Sequence, residues 1–380
     1  MTSCSWMKLV DEETAKSYGK LLSLCEAGEL VQVRELLQAT DTSRIPSLSL
    51  QDTDGWTPLH YAASSGNSHL VQFLLRNGAL WAIVDNLGYN AGDVAFSMNH
   101  TEIYQMIMSE GFRAEVLRRT IEEKEGTEEE EEEEKEEKEN GGSTATNNGR
   151  FLASKLTFKT SSTGQKLCVD SEGNGVMQGW ESEIMRATAR GLCERTGDAP
   201  ANSSELSVLN VGFGLGIIDG FFQDLYRPTR HVIVEPHPDV LQFIKDQGWH
   251  AKPGVTIYPG RWQDFLNDVR NGNILANFDA IFWDTFSEDY RALSSFFDNV
   301  FDLLSGPHAR FSWFHGLGAT SRTLYDIYTQ MAEMDIQEAG LRVSWSEVPV
   351  HGGEAVWEGI KRRYWDIPSP YRLPICSYDI

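Results

Sequence analysis

Three glycines, each two residues after the last, carry the first chemical signal in this sequence. VLNVGFGLGIID, Val208 to Asp219, reads as a buried strand that passes through Gly212, Gly214 and Gly216 into a helix. Glycine at those points lets the backbone turn sharply and approach a ligand held over the helix N-terminus. The dinucleotide fingerprint GxGxxG would need glycine at 217, where the chain has Ile217. Nineteen residues past Gly216, the run VIVE ends in Glu235, where a carboxylate can accept both hydroxyls of a ribose. YPGRWQDF follows the next strand-like run and sets Gly260, Arg261, Trp262 and Gln263 where such folds contact a flat base; Trp262 suits either that stacking or helix–sheet packing. FDAIFWDTFSEDY places Asp284 at the end of another apolar run, and GVMQGWESEIM places Met177, Trp180 and Glu181 upstream of all of these. Two carboxylates with Trp180, Trp283 and Phe286 would make a pocket for a cation. Taken singly, either acid reads as well as a helix cap or a solvated side chain.

The elements that must position these residues fall in two textures. From Phe151 onward, LSVLNV, HVIVE, VTIY, DAIFWD and ARFSWFH read as buried strands. They alternate with amphipathic stretches at 217–226, 238–247, 263–269 and 290–304, a pattern that predicts a parallel sheet with helices on both faces. Further strands are expected within 341–350 and 355–365. The N-terminal part instead repeats with a period of 33: Gly55 and Gly88, Ala62 and Ala95, Leu74 and Ile107, Gly78 and Gly111. DGWTPLHYAASSGNSHLVQFLLRNGA resembles an ankyrin repeat, with an earlier helix pair turning at Gly28 and a degenerate later copy bearing Asn90-Ala91-Gly92-Asp93 in place of Thr57-Pro58-Leu59-His60. His60 reads as a structural hydrogen-bonding residue. Between the two textures, Glu122 to Glu139 holds 13 acidic and 3 basic residues and supplies −10 of the net −23. With the Gly, Ser, Thr and Asn that follow, it reads as a linker. The expected division is residues 1–118, an acidic linker at 119–150, and 151–380.

At this point a resemblance becomes specific. VMQGWE, VLNVGFGLGI, VIVEPH, PGRWQD, FWDTFSED and RRYWDIP are similar, in order and spacing, to guanidinoacetate methyltransferase. Ankyrin repeats joined by an acidic linker to such a domain resemble the fungal protein arginine N-methyltransferase 2 family. The resemblance implies an α/β, Rossmann-like class I methyltransferase domain preceded by a small all-α ankyrin-repeat domain. It implies S-adenosyl-L-methionine as cofactor, held by Phe158, Met177, the loop Gly212, Phe213, Gly214, Leu215, Gly216 and Ile217, then Glu235, Pro236 and His237, the segment Gly260, Arg261, Trp262 and Gln263, and Asp284. Glu181 and Asp284 would bind and activate a guanidinium. The implied reaction is monomethylation of the internal δ-nitrogen (N5) of arginine in a protein, a large-subunit ribosomal protein by association, with the ankyrin repeats as a protein-binding surface. The implied location is cytoplasm and nucleus.

Other classes are disfavoured by composition. An acidic surface speaks against direct nucleic-acid binding and would suit a basic partner. No stretch approaches the ~18 apolar residues of a membrane span, and the first residues do not resemble a secretion or import signal. Five scattered cysteines without a CxxC pair disfavour a disulfide framework and a metal site. Two alternatives stay open: a methyltransferase of small guanidino compounds, and an interaction protein that no longer catalyses.

Overall fold

The computed structural model describes residues 12–39, 47–125, 143–162, 164–194, 205–350, 353–367 and 370–379. Most of the acidic run, 126–142, lies outside the described residues, and so does most of the linker reading. Among the described residues no helix is long and apolar enough to cross a membrane. The chain forms two compact units, residues 1–126 with 318–331, and 127–317 with 332–380.

The first unit is built from helix pairs. Glu12–Glu26 and Leu30–Ala39 turn at Gly28, whose φ is +72°. Pro58–Ser65 and Ser68–Arg76 form the best-formed repeat, and Ala91–Ser97 with Thr101–Glu125 form the degenerate one. His60 is buried: its Nδ1 accepts from the Thr57 N–H at 3.2 Å, and its Nε2 lies 3.1 Å from the Tyr89 carbonyl. That geometry makes it a structural residue. Thirty-three residues on, Asp93 takes the same position. Asp93 and Asn90 cap each other's backbone N–H, and the Asp93 carboxylate also accepts from the Ser321 hydroxyl and the Thr323 N–H at 2.8 and 2.9 Å. A Cβ at Gly92 would lie 2.4 Å from Thr323 Oγ1, which accounts for glycine beside that contact.

The second unit carries a small antiparallel sheet and a large mixed one. The small sheet is β1 (Thr157–Thr160), β2 (Lys166–Val169) and β3 (Gly175–Gln178), in that order, and was not expected from the sequence. The large sheet contains β4 (Ser207–Val211), β5 (Arg230–Val234), β6 (Val255–Tyr258), β7 (Ala280–Trp283), β8 (Arg310–Trp313), β9 (Leu341–Val348) and β10 (Tyr371–Tyr378). Its order is β6-β5-β4-β7-β8-β10-β9. The first five are parallel, as the alternation of strands and helices predicts; β10 and β9 add an antiparallel edge. The Rossmann-like α/β class is therefore present.

The expected strand within 355–365 is not formed. A 3-10 turn occupies Glu354–Trp357, and the strand that pairs β9 to β8 is β10 instead. The aromatic residues that suggested a strand pack elsewhere: Trp357, Tyr364 and Trp365 all lie within 6.3 Å, ring to ring, of Trp180. On one face of the large sheet, Met185, Ala189 and Leu192 of helix Ser182–Cys193 pack with Val208, Ala280 and Phe282. On the other, Val240 and Ile244 of helix Pro238–Asp246 pack with Phe213, Ile233 and Trp249.

Candidate active site

Strand order reverses on either side of β4, the point where open α/β sheets bind ligands beyond the carboxyl ends of their strands. The register brings those ends level: Val211 pairs with Val234 and with Trp283, and Trp283 pairs with Trp313. The ladder continues one residue further, through Gly212 N–H to Val234 O, Asp284 N–H to Val211 O and Phe314 N–H to Trp283 O, at 2.8–3.0 Å. Gly212, Glu235, Asp284 and Phe314 thus leave the sheet at one level and line one cavity of about 210 Å³.

The glycine turn is held from both sides. Gly212, Gly214 and Gly216 have φ of +91°, +55° and +68°, where a side chain strains the backbone. A Cβ on Gly212 would lie 1.9 Å from the Asp284 carbonyl oxygen, and one on Gly214 would lie 2.5 Å from Met177 Sδ. Beneath the turn, the buried Asn210 amide donates to the Gly212 carbonyl and to the Asp219 carboxylate, which also meets His231 Nε2 at 3.0 Å. Glu235 closes the turn from β5. Its Oε2 accepts from the Phe213 N–H at 2.9 Å and its Oε1 from the His237 N–H at 2.7 Å. Burial outweighs these bonds and pushes its carboxyl up to about 7.

Across the cavity, the short turn Gly179–Glu181 leads into helix Ser182–Cys193 and buries Glu181. Its Oε1 accepts from the Gln178 N–H at 2.9 Å and from the Tyr364 hydroxyl. Burial raises the Glu181 carboxyl to about 7. Asp284, half-buried, is raised well above the usual carboxylate range by burial and then by the charge of Glu181. The Tyr364 phenol is raised in turn by burial and by both acids. These three side chains line one cavity, and the charge of Glu181 acts on both of the others; two carboxyls in that relation invite a cation.

The structure separates the residues expected to hold a cofactor into two sets. Met177, Gly212, Phe213, Gly214, Glu235, Pro236, Arg261, Trp262 and Asp284 line the cavity together with Glu181. Trp262 also donates its indole N–H to Glu288 at 3.1 Å. Phe158, Leu215, Gly216, Ile217, His237, Gly260 and Gln263 stand outside that lining. Phe158 stacks on Phe243 at 4.2 Å, Leu215 and Ile217 pack into the sheet's faces, and His237 caps helix Pro238–Asp246 by accepting from the Asp239 N–H. Gln263 is exposed.

Sequence reasoning missed Phe314, Leu317, Ser287, Glu288 and Tyr364, all in the lining. ARFSWFH placed Phe314 at a strand end, which was a usable signal. Tyr364 stands in the RRYWDIP motif, but its run read as a strand and nothing tied it to Glu181. Ser287 has a positive φ of +63°, and its hydroxyl, like the Trp283 indole N–H, is buried without a partner. A cavity with orphaned donors at one wall, a carboxylate at another and a close-approach glycine turn between fits a polar, nucleoside-bearing ligand such as S-adenosylmethionine.

The comparisons agree with that geometry. The family model described as Guanidinoacetate N-methyltransferase matches residues 155–310, and one described as Ankyrin repeats (3 copies) matches 21–118. Protein arginine N-methyltransferase 2 of Cryptococcus neoformans var. neoformans is 39% identical over 345 residues, covering 87% of this chain and 88% of its own. Its namesake of Aspergillus oryzae is 34% identical over 413 residues, covering 94% and 96%. Similar along nearly the whole of both chains, this chain belongs to the protein arginine N-methyltransferase 2 family.

Proposed function

We propose that the chain transfers a methyl group from S-adenosylmethionine to the internal δ-nitrogen of an arginine in a protein, a large-subunit ribosomal protein, in the cytoplasm and nucleus. The observation that carries the reading is the pair of carboxyls, Glu181 buried and Asp284 half-buried, lining one cavity beside the glycine turn. The net charge of −23 supports a basic protein as the acceptor.

Gly212, Phe213 and Gly214 with Met177 would hold the cofactor's backbone-approach side, Glu235 its ribose, and Trp262 with Arg261 its base. When bound, it supplies an electrophilic methyl carbon on a sulfonium. The remaining chemistry belongs to the protein. Guanidinium is a poor nucleophile because its lone pairs are delocalised and its pKa exceeds ~12. Glu181 and Asp284 grip it by charge-assisted hydrogen bonds and draw positive charge onto the nitrogens not attacked. A bound cation favours the ionised form of both acids, against the burial that raises them. Asp284 aligns the reacting nitrogen and takes its proton; Glu181 is the second clamp.

The test is incubation with labelled cofactor and a whole-cell extract, followed by mass analysis of the labelled arginine. Methyl on the δ-nitrogen of a ribosomal protein is expected. Label only on terminal nitrogens removes the δ-nitrogen assignment. Because the catalytic family model is that of a guanidinoacetate methyltransferase, guanidinoacetate serves as the competing acceptor. Turnover of it in preference to protein replaces the proposal with small-molecule methylation, and no turnover of either leaves a non-catalytic interaction protein.

A further inference from the structure

We propose that Tyr364 is a positioning residue of the methyl-transfer site, its hydroxyl clamping Glu181 Oε1 so that Oε2 is presented to the guanidinium opposite Asp284. This rests on the arginine reading above and names a residue that neither the sequence nor the relatives' names assign.

The two oxygens of Glu181 are used unequally. Both of its protein donors, the Gln178 N–H and the Tyr364 hydroxyl, converge on Oε1. With one oxygen doubly held, the carboxylate has no freedom to rotate, and Oε2 is left for a ligand. The Gln178 donor is local, three residues away; the Tyr364 donor comes from 183 residues away. A turn that merely capped its helix would need only the local one.

The Tyr364 ring is placed by contacts that do not involve its hydroxyl. It stacks on Trp180 at 6.1 Å, meets Trp357 edge-on at 5.1 Å and passes over Gly175, where a Cβ would lie 3.1 Å from its Cε1. Removing the oxygen alone therefore leaves the ring where it is. The titratable groups facing Glu181 are Tyr364 from the C-terminal segment and Asp284 from the end of β7; those facing Tyr364 are the same two acids. Donation from Tyr364 favours the ionised carboxylate, against burial, which disfavours it. Its loss must raise the pH at which Glu181 ionises.

The experiment compares initial rates of label transfer from S-adenosylmethionine to a whole-cell protein extract, from about pH 6 to about pH 9, for wild type, Glu181→Gln and Tyr364→Phe. S-adenosylhomocysteine binding and thermal unfolding check the fold of each. For Tyr364→Phe we expect unchanged cofactor affinity and an acid limb moved up by about one to two pH units, the worth of one hydrogen bond to a charge. Infrared difference spectra against Glu181→Gln, following the carboxyl band, should show the same upward shift without any turnover. If Tyr364→Phe does not fold, 3-fluorotyrosine at 364 keeps ring and hydroxyl, makes a better donor and must move the limb down. An unshifted limb and unshifted band in a protein disabled by Glu181→Gln would overturn the positioning role alone. Normal turnover by Glu181→Gln, or none by wild type, would overturn the arginine reading instead.

Discussion

Two buried glutamates stand on opposite walls of the cavity, both raised to about 7 by burial, and they are held in different ways. Glu235 spends each oxygen on a backbone N–H, from Phe213 and His237, both close to it at the ends of β4 and β5. It is part of the glycine turn's own construction. Glu181 gathers its donors on a single oxygen, one of them a side chain from the far end of the chain, and has the acid Asp284 as its charged neighbour. Main-chain donors fix a carboxylate as rigidly as the sheet itself, which suits recognition of an invariant group such as a ribose. A side-chain donor and a neighbouring acid leave charge that only a cation can balance, which suits a substrate that arrives and departs.

The comparison breaks most sharply at the glycine turn. Gly212→Val should prevent the turn from closing, since its φ is +91° and even a Cβ would lie 1.9 Å from the Asp284 carbonyl oxygen. A loss of about 3 kcal/mol or more of stability is expected, together with loss of cofactor binding. Chemical unfolding and calorimetry with S-adenosylhomocysteine measure both, and a stable, binding Gly212→Val protein would show that the turn does not set the cavity wall.

Next in size is the loss of charge on the opposite wall. Glu181→Gln and Asp284→Asn should bind cofactor and lower the methyl-transfer rate by about two orders of magnitude. Single-turnover rates at saturating cofactor test this; an amide variant within a few-fold of wild type would reduce that wall to structure. Glu235→Ala should act in the opposite sense, weakening cofactor binding by about 1.5–3 kcal/mol for each hydrogen bond lost while leaving the rate at saturation closer to normal. If both glutamates altered the same kinetic parameter, the contrast between the walls would fail.

The smallest effect is on stability against pH. Glu181 and Glu235 have folded-state values near 7, above the ordinary 4.5, so the folded protein holds those protons more tightly than the unfolded chain. Their contribution to stability is complete below about pH 4.5 and is lost as pH rises through 7, at no more than about 1.4 kcal/mol per pH unit for each acid. Glu235→Gln should flatten that fall by one proton's worth in urea titrations across this window. An unaltered slope would place the Glu235 proton outside the balance.

Parts of this site were legible because they are local. A strand, a glycine turn and a helix occupy a dozen consecutive residues, and a strand-end acid such as Glu235 or Asp284 inherits its place from the strand before it. The ankyrin period is legible for the same reason: each copy repeats its own short-range contacts. The role of Tyr364 was hidden because the aromatic and apolar residues of its run suit a strand and a packed cluster equally well, and only Trp180, far back in the sequence, decides between them. The small sheet β1–β3 was hidden because its short strands follow one another with no helices between them, so the strand–helix alternation that marks the equally short β6, β7 and β8 is missing.

By itself, then, the sequence determined the repeat, the alternation of strands and helices, and the glycines whose conformations no other residue adopts cheaply. Which side chains face each other was decided only by the tertiary structure. The pairing of Val211 with Trp283 brings the Asp284 backbone against Gly212, and the burial of Trp180 beneath Trp357 and Tyr364 turns Glu181 toward the same cavity. The physical reason is range: backbone conformation responds to the nearest few residues, whereas the energy of a buried charge depends on every group that the fold brings within a few ångströms.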